Sequence, residues 1–312
     1  HNLDANFRIK TSKTGMLKYY GYFSSNRLAF TTSSIDTLGY LDKFAIGNKN
    51  HYHNLSWKEN LPKRWKISIG ASYSNNEDEI HASLQDNNKT EVVLGGLEFK
   101  NFSLDNRGNY VNAKTVLEKK MKGLSALRFG AKYNFSNDKV VYTAYDGQKY
   151  PSGLKQHIKS LFAEADVYAT NDLAVKAGMR FEHSSVREKT NIAPRASVAY
   201  KLGKGSQASL AYGIFYQNPE RRWLPSPNAL DFMKATHYII QYQKVLNQQS
   251  LRLEAFYKKY KGLVKTGVVG FTEAAISNNG FGDAKGVELF WRDKKTIKNF
   301  YYWISYSFLD TK

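Results

Sequence analysis

Hydrophobic and polar residues alternate with a period of two along most of this chain. The alternation is clear at 3–10, 65–74 and 173–182, where every second residue is apolar and its neighbours are polar. A period of two puts the two sets on opposite faces of a β-strand. Runs of about ten residues are long enough for a tilted strand to cross a bilayer. The pattern therefore predicts strands with one face in lipid and the other in water.

The alternating runs group into seven predicted hairpins, which give fourteen membrane strands. We place them at 1–10 with 16–25, 50–59 with 64–74, 109–119 with 124–135, 157–169 with 173–184, 193–201 with 206–216, 236–245 with 249–260, and 283–293 with 300–310. Connections within hairpins are short and polar, whereas those between hairpins are long, as in outer-membrane barrels. The predicted fold class is all-β, an antiparallel transmembrane β-barrel, because a closed sheet leaves no unpaired edge in lipid.

Three regions need separate interpretation. The segment 91–102 also resembles a strand, and we predict that it forms a hairpin within an outer loop, because a further membrane strand would break the short-long order. Long loops are predicted at 136–156 and 185–192. Neither end of the chain carries a closing feature, so we expect residues 1–312 to be one partial barrel domain.

Composition agrees with a membrane β-protein. The chain has 312 residues, and 14% of them are aromatic, which suits the aromatic girdles of membrane barrels. The formal charge of +19 would ordinarily suggest nucleic acid. Because the basic residues are dispersed through turns and strands, we expect no nucleic-acid partner. Outer-membrane lipids, or an anionic solute in the lumen, are the expected partners.

Motifs for chemistry are missing from the sequence. It contains no cysteine and no recognisable nucleophile, phosphate-binding or metalloprotease motif, so no catalytic site and no cofactor are expected. His51 and His53 share a strand face but lack an obvious third ligand, so we predict no metal site. Gly280, Gly282 and Gly286 have the wrong spacing for a dinucleotide loop. We predict that the protein is not an enzyme.

Charged residues within the alternating runs are assigned to the water-filled side. A Lys or Arg facing lipid at the bilayer midplane would cost about 2–4 kcal/mol. The predicted lumen-facing residues are Arg128, Lys132, Glu164, Asp166, Arg180, Glu182, Arg252, Glu254, Glu288 and Arg292. A ladder of both signs would stabilise the wall or hold an inner domain, and we favour this interpretation over a specific solute site for any one residue.

Solute contacts are predicted in two long loops, because binding residues concentrate on loops held by a rigid frame. The segment 218–227 contains three prolines and a tryptophan beside arginine, and the segment 262–282 is rich in glycine. The candidate contact residues are Arg221, Arg222, Trp223, Phe271 and Phe281. An ordinary loop without a binding role is the equal alternative for both segments.

Two segments also carry a family resemblance. The run NIAPR at 191–195, followed by ASVAYKL and SLAYGIFYQNPE, resembles the middle of TonB-dependent outer-membrane receptors. The stretch KGVELFWRDKKTIKN at 285–299, with YWISYSFLDTK after it, resembles receptors from Bacteroidota. The resemblance covers most of 190–312, whereas before about residue 110 only the alternation supports it.

The resemblance implies a barrel of about 22 strands around a plug, a size expected of outer-membrane transporters. It also implies import of scarce solutes, driven by TonB–ExbB–ExbD through an N-terminal region that we expect to lie outside this chain. One alternative is a non-transporting barrel that scaffolds an outer-membrane complex or binds a surface lipoprotein. Another is a soluble β-sandwich adhesin. The identity of the solute is not predicted.

Overall fold

The computed structural model describes residues 1–220, 230–266 and 276–312, and this part of the chain is almost entirely β-structure. Its strands are β1 Asn2–Lys10, β2 Met16–Ser33, β3 Leu41–Leu61, β4 Trp65–Gln85, β5 Phe102–Lys120, β6 Ala126–Thr143, β7 Lys149–Tyr168, β8 Leu173–Ser184, β9 Lys189–Gly203, β10 Ser206–Gln217, β11 Met233–Leu246, β12 Gln249–Thr266, β13 Ile276–Asp293 and β14 Tyr302–Thr311. The order in the sheet follows the sequence, from β1 to β14. The prediction of fourteen antiparallel strands is confirmed. No helix in the described ranges is long and apolar enough to cross a membrane.

Most strands are longer than predicted, and the extra length lies at the ends that meet between hairpins. β2 runs to Ser33 rather than to residue 25, and β4 runs to Gln85 rather than to 74. The first residues of the two extensions, 26–27 and 75–79, are polar on both faces, so the alternation breaks there while backbone pairing continues. β2 and β3, for example, remain in register as far as Ser33 and Leu41.

The predictions of long loops at 136–156 and 185–192 are therefore wrong. β6 ends at Thr143 and β7 begins at Lys149, while β8 ends at Ser184 and β9 begins at Lys189. Both connections are tight turns, because pairing of the strands consumes the residues that we assigned to loops.

The predicted hairpin at 91–102 is also wrong. The segment forms an isolated bridge between Glu91 and Gln85 and one turn of 3-10 helix at Glu98–Lys100. The side chain of Asn101 satisfies backbone groups instead of a second strand: it accepts from the amide of Leu84 at 2.6 Å and donates to the carbonyl of Val92 at 2.6 Å.

Tight hairpins close several strand pairs. Two-residue loops at 204–205 and 247–248 have positive φ at both positions, as in type I′ turns. Such turns match the right-handed twist of the strands on either side. Lys204, Asn247 and Gln248 adopt this conformation although each carries a side chain.

The chain divides into two compact units, and the first comprises His1–Asn60, Ile67–Thr115 and Lys132–Lys159. On its apolar face Phe7 pairs with Tyr19 in the register of β1 and β2, and their ring centroids are 5.8 Å apart. On the opposite face the phenol of Tyr110 donates to Asp138.

The second unit comprises Leu61–Lys66, Val116–Ala131 and Ser160–Lys312. On its apolar face Leu210 lies between Val198 and Ile240 in the register of β9, β10 and β11, and all three side chains are exposed. Tyr212 lies beside Tyr238, with ring centroids 5.3 Å apart. Exposed apolar side chains in cross-strand rows are the surface that a strand presents to lipid.

Candidate functional site

An ion-pair ladder crosses the polar face of β5 to β8 in the second unit. Arg128 on β6 donates from Nε to Glu118 at 2.7 Å and from Nη1 to Asp166. Lys176 on β8 lies 3.5 Å from the same Asp166 and 3.9 Å from Glu164. Arg128 is 28% exposed and its two partners 20% and 21%, so water reaches the ladder only in part. One guanidinium thus links two carboxylates on neighbouring strands.

A second cluster lies between β7 and β8. Arg180 donates from Nη2 to Glu182 at 2.6 Å and to the hydroxyl of Ser160 at 2.8 Å. Ser160 in turn donates to Glu182 at 3.0 Å. The three side chains form a closed set on the polar face, which is a structural arrangement rather than an open binding site.

The other predicted lumen residues have looser surroundings. Glu254 accepts from Gln241 at 3.1 Å, and Arg252 lies 3.8 Å from Glu288. Lys132 lies on β6 and Arg292 on β13. The structure therefore brings five of the predicted residues into two tight clusters: Arg128, Glu164, Asp166, Arg180 and Glu182.

Beside the ladder lies a recess of about 290 Å³ on the polar face of β7 to β11. Its walls include Arg195, Phe215 and His237, and its lining extends to Lys176 and Glu164. The guanidinium carbon of Arg195 lies 4.5 Å from the centroid of Phe215, and that ring lies 4.6 Å from the ring of His237. A cation stacked on an aromatic ring is held in place while its outer edge stays free to donate.

The recess exists because glycines replace side chains in its floor. A Cβ at Gly213 would lie 2.9 Å from the ring of Phe215 and 3.5 Å from Cγ of Arg195. Gly286 serves Phe256 on β12 in the same way, since a Cβ there would lie 2.6 Å from that ring. Both phenylalanines can therefore lie flat against the sheet.

A row of basic residues begins in the recess and continues beyond it to Lys258 on β12. Arg195, Gly213, His237 and Lys258 are consecutive partners in the register of β9 to β12. Three strand spacings separate the ends of this row, or about 14 Å. Lys258 lies 4.5 Å from the ring of Phe256. Within the described ranges no carboxylate lies within 4 Å of Arg195 or Lys258, so the row presents uncompensated charge beside apolar rings.

The predicted loop contacts are only partly covered by the structure. Arg221, Arg222, Trp223 and Phe271 lie outside the described residues. The prediction of a loop at Phe281 is wrong, because β13 begins at Ile276 and pairs Phe281 with Lys261. Its ring is 78% exposed, and Nζ of Lys265 lies 5.6 Å from its centroid.

Residues 230–232, which follow 221–229, contact the residues at the start of β9. Lys189 donates to Asp231 at 2.7 Å, and Arg187 donates to the carbonyl of Leu230. The hydrogen bond from Lys189 lowers the pKa of the Asp231 carboxyl, while burial lowers the pKa of the Arg187 guanidinium. Leu230 and Phe232 are buried. Residues 230–232 are therefore held next to the start of β9.

Sequence reasoning missed several residues of this region. They are Glu118, Ser160, Lys176, Arg195, Phe215, His237, Phe256 and Lys258. In residues 1–220, 230–266 and 276–312 no group of three His, Asp or Glu side chains is placed to hold a metal ion.

Comparison with known proteins gives one family match and many structural neighbours. The model of the family described as TonB dependent receptor-like, beta-barrel matches residues 2–312. No curated protein sequence matches the chain.

Three solved structures illustrate the likeness. The alcaligin outer membrane receptor FauA from Bordetella pertussis is 11% identical with a TM-score of 0.66, over 100% of this chain and 59% of that one. The siderophore receptor PirA from Pseudomonas aeruginosa is 12% identical with a TM-score of 0.65, and the match covers 99% of this chain and 61% of that one. BauA, the ferric preacinetobactin receptor from Acinetobacter baumannii, is 11% identical with a TM-score of 0.67, and the match covers 99% of this chain and 54% of that one. The chain therefore spans between half and two thirds of each neighbour, and at these identities the likeness is one of fold.

Proposed function

Because the chain belongs to the family of TonB-dependent receptor-like β-barrels, we propose that it forms part of the wall of a receptor that binds a solute and imports it with TonB-derived energy. The family consists of outer-membrane receptors and transporters, and the outer membrane is where this protein resides. We propose further that residues 1–312 contribute fourteen strands to a larger barrel of about 22. The partial coverage of each structural neighbour supports this larger barrel.

In this proposal the polar face lines the lumen. The observation that carries it is the separation of the two faces: exposed apolar rows on one side, and on the other the ladder of Arg128 and the recess of Arg195. Buried and half-buried ion pairs would be costly against lipid, whereas a wet or plugged lumen accommodates them.

The recess and the side chains next to it favour an anionic solute with a flat apolar part as the ligand. Arg195 and Lys258 would bind the charge, and Phe215 and Phe256 would contact the apolar part. The neighbours are named as receptors for alcaligin, a siderophore and ferric preacinetobactin, which supports capture of a solute from outside the cell. Energy coupling would come from TonB–ExbB–ExbD acting on a region outside this chain.

An uptake experiment tests the proposal. Cells that express the full-length protein are given a mixture of anionic solutes, and depletion of each solute from the medium is followed by mass spectrometry. The cells carry wild type, Arg195→Gln with Lys258→Gln, or the control Arg292→Gln, which removes a charge elsewhere on the polar face. We expect one solute to be depleted by wild type and by the control, and at least tenfold more slowly by the double variant.

Deleting TonB in the same cells tests the energy source. We expect depletion to stop without TonB while binding to intact cells persists. If no solute is depleted with or without TonB, import is excluded, and co-purification of a stable protein complex would then support the scaffold instead.

A further inference from the structure

An apolar groove of about 660 Å³ lies on the face of β8 to β12 opposite to the recess. Tyr212, Tyr238 and Tyr257 line it, with ring centroids 5.3 Å apart for the first pair and 6.2 Å for the second. Ala196 and Ala255 also line the groove, and their small side chains leave room between the larger ones.

Three lysines lie just beyond the groove on the same face. Lys234 is four residues from Tyr238 along β11, and Lys259 and Lys261 are two and four residues from Tyr257 along β12. Even spacing keeps all of them on the face of the tyrosines. At about 3.4 Å per residue, the ammonium-bearing positions begin about 7 Å beyond the ring row and extend to about 14 Å.

The lysines are placed against one another rather than against acids. Lys234 and Lys261 are direct partners in the register of β11 and β12, and like charges directly opposite each other destabilise a sheet. Neighbouring Lys285, by contrast, has an ion pair with Asp310 at 3.2 Å. Among residues 1–220, 230–266 and 276–312, no carboxylate lies within 4 Å of the three lysines, although Asp283 is the register partner of Lys259.

We propose that the groove and the three lysines form one binding site for a phosphorylated, anionic membrane lipid. The acyl chain would lie along the tyrosines and the phosphate would bridge Lys234, Lys259 and Lys261, which relieves their repulsion. A neutral lipid would leave the lysines unpaired, and a soluble phosphate would leave the groove empty. A lipid whose phosphate head group has a net negative charge satisfies both halves, because its charge begins where its hydrocarbon ends.

Native mass spectrometry of the protein in a neutral detergent tests the site. The protein is titrated with phosphatidylglycerol or with phosphatidylcholine, and bound lipids are counted. Three variants are compared with wild type: Lys234→Gln, Lys259→Gln and Lys261→Gln combined; Ala255→Phe, which fills the groove; and Arg252→Gln, a control on the opposite face of the same strand. Heat-modifiable gel migration checks that each variant is folded.

We expect wild type and Arg252→Gln to bind phosphatidylglycerol at least tenfold more tightly than phosphatidylcholine. The triple variant should bind it roughly 10- to 100-fold more weakly, and Ala255→Phe should also lose affinity. Inorganic phosphate at equal concentration should not displace the lipid. Equal binding of both lipids, unchanged binding by the triple variant, or displacement by inorganic phosphate would each overturn the proposal. If the triple variant does not fold, Lys261→Gln and Ala255→Phe decide the same question.

Discussion

Leu210→Arg is the substitution that most sharply separates the two faces of the sheet. Leu210 is 56% exposed on β10, between Val198 and Ile240 on the neighbouring strands. Its sequence neighbour Ser209 points to the other face, where its register partner Gln241 binds Glu254. The same arginine placed one residue apart therefore meets hydrocarbon in one variant and polar groups in the other.

The expected difference follows from depth in the membrane. An arginine near the midplane on the lipid side costs about 2–4 kcal/mol of folding free energy, and near the interface about 0–1 kcal/mol. For Leu210→Arg the unfolding equilibrium should shift by roughly 30- to 900-fold. Tyr216→Arg lies on the same face but next to the end of β10 at Gln217, so its cost should be below about 1 kcal/mol. Ser209→Arg should be close to neutral.

Urea titration of the full-length protein refolded in lipid vesicles measures these costs, with tryptophan fluorescence as the signal. The three variants should rank with Leu210→Arg the least stable by at least about 1 kcal/mol. If Leu210→Arg and Ser209→Arg are equally stable, the assignment of the apolar face to lipid is wrong.

Four further changes test separate contacts. Arg128→Ala removes the ion pairs with Glu118 and Asp166, of which Asp166 keeps Lys176 at 3.5 Å, and should cost about 2 kcal/mol in the same titration, below the roughly 3–5 kcal/mol of a fully buried pair. Gly213→Val should displace the ring of Phe215 and abolish solute binding while the protein still folds, as shown by gel migration. Asp293 accepts hydrogen bonds from the turn after β13, above all from Thr296, and these bonds hold the pKa of its carboxyl far below the ordinary value. The loss of stability that Asp293→Ala causes at neutral pH should therefore shrink as pH falls below about 4. Lys100→Met removes the ion pairs with Asp36 at 2.6 Å and with Asp42 on β3 at 2.9 Å, and should speed proteolysis within 86–101.

The membrane-spanning part of each strand could be predicted because lipid imposes a period of two. β8 was predicted at 173–184, and the structure gives Leu173–Ser184. The ends of β2 and β4 could not be predicted, because the alternation breaks at 26–27 and 75–79, where both faces are polar and the sequence resembles that of a loop. Only the backbone register, which the sequence does not display, carries β2 on to Ser33.

The sequence shows only in part which of the predicted charged residues contact one another. Parity put Arg128 and Asp166 on the polar face, and the structure joins them. Their contact depends on the stagger between β6 and β7, which hairpin lengths determine only loosely. Glu118 and Lys176 were missed because each lies near the short-turn end of its strand, where polar residues carry little information.

The sequence does contain one local signal of the recess. Gly213 stands two residues before Phe215 on one strand face, and Gly108 stands likewise before Tyr110. A glycine two positions from an aromatic residue lets the ring fold flat along the strand. The cross-strand contact of Phe256 with Gly286 left no such signal, since it depends on the pairing of β12 with β13.

Single-cysteine scanning along β10 tests the central claim most directly, because the chain contains no cysteine of its own. Each residue of Ser206–Gln217 is replaced in turn in the full-length protein, and the cysteine is labelled with a fluorophore in lipid vesicles. Quenching by a lipid-borne and by a water-soluble quencher is then recorded at every position. We predict two profiles with a period of two and opposite phase, with lipid quenching strongest at positions 208, 210, 212 and 214. Profiles that do not alternate, or that peak at the same positions, would contradict the account.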